Sequence, residues 1–265
     1  MKNTEIIFVI DASGSMAHLV GDTIGGFNGF IESQKAIDGK ATLTTVLFDS
    51  SWRILHNGID LHEVKPMTAA DYVASGMTAM LDAIGETINR VQDRHDELGE
   101  EKPENVLFVI TTDGEENSSH KFTKSQIEKM IKHQTNGHGW KFMFLGANMD
   151  AVQTASDIGI ASNHSHTYDY TSKGTRAVYD TLSVTACAAR TTGLDDTFDL
   201  ASAYDASVLS SAKSYCDGIE SDITVGNCDG IVALGNVDNI TTDKAIDSFC
   251  DAIIEKISTD DFYIN

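Results

Sequence analysis

The chain contains short apolar runs that are each followed at once by a polar turn. Two of them are Ile6–Ile10 and Val106–Ile110, and a third run of similar texture spans 140–145. Continuous short runs rich in Ile, Val and Phe are typical of strands that are buried on both faces of a parallel sheet. Because such a sheet needs cover on both sides, these runs predict a layered α/β fold.

The segments between the apolar runs have apolar residues at helical spacing, and they predict helices. Gly25, Gly26 and Gly29 weaken the first of these helices, so packing must hold it. The second has the clearest stripe, which begins at Leu81 and ends at Val91. Apolar stripes, with a Thr-x-x-Gln capping box at 123–126, place the helices at about 24–31, 78–91, 123–131, 149–158 and 172–190.

Two further segments complete the predicted sheet. Thr42–Phe48 and Trp52–Leu55 are β-rich and separated by three residues, which predicts an antiparallel hairpin. The charged segment 93–104 contains Gly99 and Pro103, and we interpret it as a helix end and loop. The alternation up to about residue 192 predicts a Rossmann-like, doubly wound and mostly parallel sheet with one antiparallel edge strand.

The composition changes beyond residue 193, where Asp, Ser, Ala, Gly and Asn dominate. From Asp195 onward there are fifteen acids and three lysines, so −12 of the net charge of −21 lies there. Residues 207–215 and the apolar stripe between Ile246 and Ile257 have helical patterns. We therefore predict two parts, a domain at 1–192 and an acidic, mainly helical extension at 193–265. The four cysteines lack Cys-x-x-Cys spacing, and their pairing stays open.

The net charge of −21 excludes some classes of partner. Nucleic acid and anionic membranes both attract basic patches, so neither is an expected partner, whereas divalent cations are compatible with this charge. The apolar run near the N-terminus is too short for a signal peptide, and no later segment reaches the length of a membrane span. We expect a cytoplasmic protein.

Five oxygen-bearing side chains follow the predicted strands or begin a helix. They are Asp11, Ser13 and Ser15 after the first strand, Thr78 before a helix, and Asp113 after the strand at 106–110. Doubly wound sheets bind ligands at this edge, past the carboxyl ends of the strands. Alternating residues of an extended turn point the same way, so the first three side chains can face one point.

Two carboxylates and three hydroxyls form an all-oxygen set, which suits Mg²⁺ (or Mn²⁺). The set contains neither Cys nor His, which disfavours zinc. If the hydroxyls bind directly and the acids act through water, the ion keeps an open coordination position. A carboxylate from a protein partner is the natural ligand for that position.

Three segments together resemble the motifs of von Willebrand factor type A domains. They are Asp11–Ser15, Gly76–Thr78 and Thr112–Gly114, and the stretch 140–160 resembles intracellular bacterial and phage members. The resemblance covers residues 1 to about 192. It implies a metal-ion-dependent adhesion site built from the five side chains above. It also implies a non-enzymatic protein-binding surface that captures a partner's acidic residue, as in the assembly or regulation of larger complexes.

Two other functions stay open as alternatives. A metal-dependent phosphohydrolase of the haloacid dehalogenase type would need an acid two residues after Asp11, but Ser13 stands there. A self-associating protein would use the acidic extension of one molecule to fill the metal site of a neighbour, giving a homo-oligomer.

Several polar and aromatic residues have plainer interpretations. We interpret the nine histidines as solvated or capping residues, and Glu115 and Glu116 as charges at the rim of the site. Trp140 and Phe142 are expected in the core.

Overall fold

The computed structural model describes residues 2–194 and 198–216, with side chains described as far as residue 208. The predicted helical stripe at 246–257 and most of the acidic extension lie outside the described residues. The division at residue 192 stays a prediction.

The described residues form six strands and six α-helices. The strands are β1 (Thr4–Asp11), β2 (Ala41–Phe48), β3 (Trp52–Asp60), β4 (Asn105–Thr112), β5 (Lys141–Ala147) and β6 (Ser165–Tyr168). The helices are α1 (Val20–Lys35), α2 (Met80–Leu98), α3 (Lys124–His138), α4 (Ala151–Asp157), α5 (Ser172–Thr191) and α6 (Leu200–Cys216).

The six strands form one sheet in the order β3-β2-β1-β4-β5-β6. All neighbouring pairs are parallel except β2 and β3, which form the predicted antiparallel edge. The chain moves outward from β1 in one direction through β2 and in the other through β4. The carboxyl ends of β1 and β4 therefore lie side by side at the point where the strand order reverses, which is the ligand-binding edge of such sheets. The predicted fold class is confirmed.

Helices cover both faces of the sheet, as the continuous apolar strands require. In β1, Phe8 faces the cluster that contains apolar residues of α1 and α5. Its neighbour Val9 faces the opposite cluster, which contains residues of α2, α3 and α4. Trp140 and Phe142 are buried in that second cluster, so their prediction as core residues is confirmed. Within the described residues, no helix is long and apolar enough to cross a membrane.

The interpretation of 93–104 as a helix end and loop agrees with α2, which ends at Leu98. Other features differ from the sequence prediction. His95 was interpreted as a solvated or capping residue, but it is buried and contacts Glu5 at 2.7 Å. Strand β6 was not predicted, because its residues are largely polar. The segment predicted to be helical at 207–215 lies within α6, but this helix begins earlier, at Leu200, which joins the apolar cluster of α1 and α5.

Candidate metal site

The loop after β1 brings three of the predicted ligands together. Asp11 is the last residue of β1 and is fully buried. Its Oδ1 accepts a hydrogen bond from the backbone N–H of Ser13 at 2.7 Å, and its Oδ2 accepts one from the Thr112 hydroxyl at 2.6 Å. The hydroxyl oxygens of Ser13 and Ser15 lie 3.0 Å apart. The turn therefore clusters one carboxylate and two hydroxyls.

The end of β4 adds a second carboxylate to this cluster. The Ser15 hydroxyl donates a hydrogen bond to Oδ1 of Asp113 at 2.7 Å. The other oxygen, Oδ2 of Asp113, is buried and has no hydrogen-bond partner among the described residues. A buried carboxylate oxygen without a donor is costly, so a bound cation, a water molecule or a proton would stabilise this atom.

The loop before α2 is joined to the loop after β1 by two backbone hydrogen bonds. Gly14 donates its N–H to the carbonyl of Gly76 at 3.1 Å, and Ser75 donates to the carbonyl of Ala12 at 2.9 Å. Gly76 has a φ of +72°, a left-handed conformation that glycine adopts without strain. The two hydrogen bonds and the conformation of Gly76 fix the path of the backbone that leads to Thr78.

The loop also brings the fifth predicted ligand to the site. Thr78 is buried, and its Oγ1 lies close to the Asp113–Gly114 turn, 3.7 Å from where a Cβ on Gly114 would be. Asn117 holds the backbone of Thr78 by accepting its N–H at 2.9 Å. All five predicted side chains are thus at one place, at the carboxyl edge of the sheet. Their role as metal ligands stays a prediction.

The electrostatics of the site favour a cation. Burial raises the pKa of Asp11, hydrogen bonds from Thr112 and Ser13 oppose that shift, and the nearby charge of Asp113 adds to it. None of the ion pairs seen among the described residues involves Asp11 or Asp113. Two adjacent buried carboxylates without a basic partner need a bound cation or a proton. The residues present therefore fit a divalent ion with oxygen ligands.

Glu116 supports the site in a different way from the one that we predicted from the sequence. Glu116 accepts the backbone N–H of Leu81 at 2.8 Å and those of Ser118 and Ser119 at 2.9 and 2.7 Å. It thus caps the first turn of α2, where a negative charge is favourable, and its interpretation as a rim charge was wrong. Glu115 is exposed, as expected of a rim residue. No local pattern reveals this cap, because the carboxylate lies 35 residues from its partner.

Tyr170 is a second supporting residue that the sequence prediction missed. It follows β6, and its hydroxyl donates a hydrogen bond to the backbone carbonyl of Ser15. Burial raises the pKa of the Tyr170 phenol, and the neighbouring carboxylate of Asp113 raises it further. Because β6 was not predicted, nothing in the sequence placed this tyrosine at the same edge of the sheet.

No protein-family model and no curated protein matches this chain. The described fold is similar to the vWF domain of the type V pili tip protein Mfa5 from Porphyromonas gingivalis. The TM-score is 0.52 at 10% identity, covering 74% of this chain and 99% of that one. The PilB minor pilin from Streptococcus sanguinis gives a TM-score of 0.50 at 12% identity, and the match covers 71% of this chain and 62% of that one.

Proximal thread matrix protein 1 from the mussel byssus gives a TM-score of 0.47 at 14% identity, covering 70% of this chain. The chain spans 46% of the length of that protein. At these identities the similarity to solved structures concerns the fold alone. The sheet order, its single antiparallel edge and the similarity to the pilus tip domain agree: the chain has the α/β fold of von Willebrand factor type A domains.

Proposed function

We propose that this chain is a divalent-metal-dependent protein-binding module with no enzymatic activity. The proposed ligands of Mg²⁺ (or Mn²⁺) are Asp11, Ser13, Ser15, Thr78 and Asp113. The observation that carries the proposal is the buried, unpartnered Oδ2 of Asp113, which lies in a cluster of oxygen atoms that lacks a basic partner. The bound ion would supply positive charge that attracts a carboxylate from a protein partner.

The hydrogen bonds support different proposed roles for the two carboxylates. Both oxygens of Asp11 already accept hydrogen bonds, from Ser13 and Thr112, so Asp11 orders the loop and contributes charge. Asp113 has one oxygen free of donors and is the better direct or water-mediated ligand. Neutral hydroxyls make up the rest of the set. Such a set leaves more attraction for an incoming carboxylate than a set of four acids would.

The surface beside the site supports a protein partner. Met77 and Val73 are 51% and 56% exposed, and both lie in the loop that supplies Thr78. Exposed apolar side chains next to a polar site are typical of protein interfaces. Two of the similar solved structures are pilus components, which is consistent with a role in the assembly of a larger complex.

The first test measures metal binding directly. We expect calorimetric titration with Mg²⁺ and Mn²⁺ to show one site in the wild type, and Thr78→Ala to weaken it by at least tenfold. Asp93→Ala is the matched control, because Asp93 is exposed and about 20 Å along α2 from its first residue. Equal affinity in the wild type and Thr78→Ala would remove Thr78 from the ligand set.

The second test asks whether the metal carries partner binding. We expect affinity capture with the wild type in Mg²⁺ to retain proteins that are lost in EDTA and with Asp11→Ala. Thr78→Ala provides the same test should the loss of the buried Asp11 prevent folding. Identical captured proteins in Mg²⁺ and EDTA would contradict the proposed function.

A further inference from the structure

Tyr170 connects the loop after β6 to the loop that carries Ser13 and Ser15. Its hydroxyl donates to the Ser15 carbonyl and lies 3.3 Å from Nδ1 of His18. The imidazole of His18 packs edge-on against the Tyr170 ring, with ring centroids 4.4 Å apart. Tyr170 is therefore held on two sides, by a hydrogen bond to the backbone and by a ring contact.

Ser15 is the residue that this contact restrains. Its hydroxyl lies 3.0 Å from that of Ser13 and donates to Asp113, so it bridges the loops after β1 and β4. Ser15 is nevertheless exposed. Ser15 lies in a short 3-10 helix, Gly14–Leu19, and the orientation of an exposed residue in so short an element depends on its hydrogen bonds.

The loop after β6 also leads directly into α5. Thr171 caps that helix, and the first residue of the helix, Ser172, donates a 2.7 Å hydrogen bond to Asp22 of α1. Tyr170 is therefore anchored by elements on the α1 and α5 side of the sheet. It can hold Ser15 in place because its own backbone is held.

We propose that Tyr170 is a positioning residue of the metal site, which sets the affinity for a divalent cation by fixing Ser15. This inference rests on the proposed function, since it assumes that Ser15 is a metal ligand. Replacing the phenol with a phenyl ring keeps the edge-on packing against His18 and removes the hydroxyl, which donates to the Ser15 carbonyl and lies 3.3 Å from Nδ1 of His18. The loss of one hydrogen bond corresponds to a fall in affinity of about three- to tenfold.

The test is a Mn²⁺ titration in which electron paramagnetic resonance measures the free ion. The proteins are the wild type, Tyr170→Phe and Tyr204→Phe. Tyr204 is a matched control, because it is a buried tyrosine of α6 that packs against His166, outside the proposed ligand set. We expect Tyr170→Phe to bind Mn²⁺ about three- to tenfold more weakly and Tyr204→Phe to bind with wild-type affinity.

Hydrogen exchange of the amides at 13–18 gives a readout that a merely structural role would not change. We expect Mg²⁺ to slow this exchange in the wild type, and a smaller effect at the same occupancy in Tyr170→Phe. A variant with a lower melting temperature but unchanged affinity would overturn the inference and leave the proposed function intact. A wild type that binds no Mn²⁺ would overturn both.

Discussion

Asp82 shows how a single carboxylate can hold the loop beside the site. It lies in the first turn of α2 and is buried, and it accepts backbone N–H groups from His120, Lys121 and Phe122 at 2.8–2.9 Å. Burial by itself would raise the pKa of Asp82, but the three backbone donors outweigh it, so the pKa is lowered. The ionised side chain thus joins the loop after β4 to α2.

Asp82→Asn is expected to lower stability in a pH-dependent way. Because the folded pKa lies below the unfolded value near 3.8, this contribution is present above that pH and lost as the pH falls through the folded pKa. Urea unfolding should show that the substitution lowers the free energy of unfolding by about 1–3 kcal/mol at pH 7, and by less at pH 4 and pH 3. Asp93→Asn, at an exposed position of the same helix, is the control. A difference that is constant across this range would contradict the assigned role.

A substitution at Met77 should affect partner binding without affecting metal binding. Its side chain is half exposed, while its backbone N–H is fixed by Oγ of Ser50 at 2.8 Å. We expect Met77→Ala to weaken binding of a captured partner by about tenfold, the effect of losing one apolar contact of about 1.4 kcal/mol. Mg²⁺ affinity should not change. Leu98→Ala, at the far end of α2 with 40% exposure, should affect neither. Interferometry measures the affinity for the captured partner, and calorimetry measures the affinity for Mg²⁺.

At the scale of elements, the sequence predicted those whose pattern is local and strong. The runs that became β1 and β4 are continuously apolar, and the ligand motifs follow them within a few residues, so the fold and five positions of the candidate site could be predicted together. Strand β6 could not be predicted, because it has four residues, Ser165–Tyr168, and pairs with β5 alone. Tyr170 was missed for the same reason, since only the sheet brings it to Ser15.

Two glycines of helix α1, Gly26 and Gly29, differ in their packing, and this difference cannot be recognised from the sequence pattern. A Cβ on Gly26 would lie 2.2 Å from the ring of Tyr179 in α5, whereas one on Gly29 would meet no atom within 4 Å. Gly26→Ala should therefore destabilise the protein by about 1–3 kcal/mol through overpacking of the two helices. Gly29→Ala should stabilise it by about 0.5–1 kcal/mol through helix propensity. Urea unfolding of the two variants tests this, and shifts of the same sign would contradict the close packing of α1 and α5.

At the scale of the whole molecule, the reversal of strand order places two carboxylates side by side in a chain of net charge −21. The sequence indicated that Asp11 and Asp113 would meet at this edge. It could not show that Oδ2 of Asp113 lacks a donor, because that depends on every group that packs around the atom. If the proposed metal site is correct, a bound cation would stabilise the fold at this edge of the sheet.

Mg²⁺ should accordingly raise the melting temperature of the whole domain. An ion that binds only the folded state at 100 times its dissociation constant stabilises it by about 2.7 kcal/mol, which corresponds to about 5–11 °C for a domain of this size. Calorimetric scans in Mg²⁺ and in EDTA measure the shift, and KCl at equal ionic strength controls for screening of the acidic surface. Mg²⁺ should raise the melting temperature of Thr78→Ala by much less than that of the wild type. If KCl produced the same rise, general screening of the −21 charge would explain the stabilisation, and the two buried carboxylates would need no bound ion.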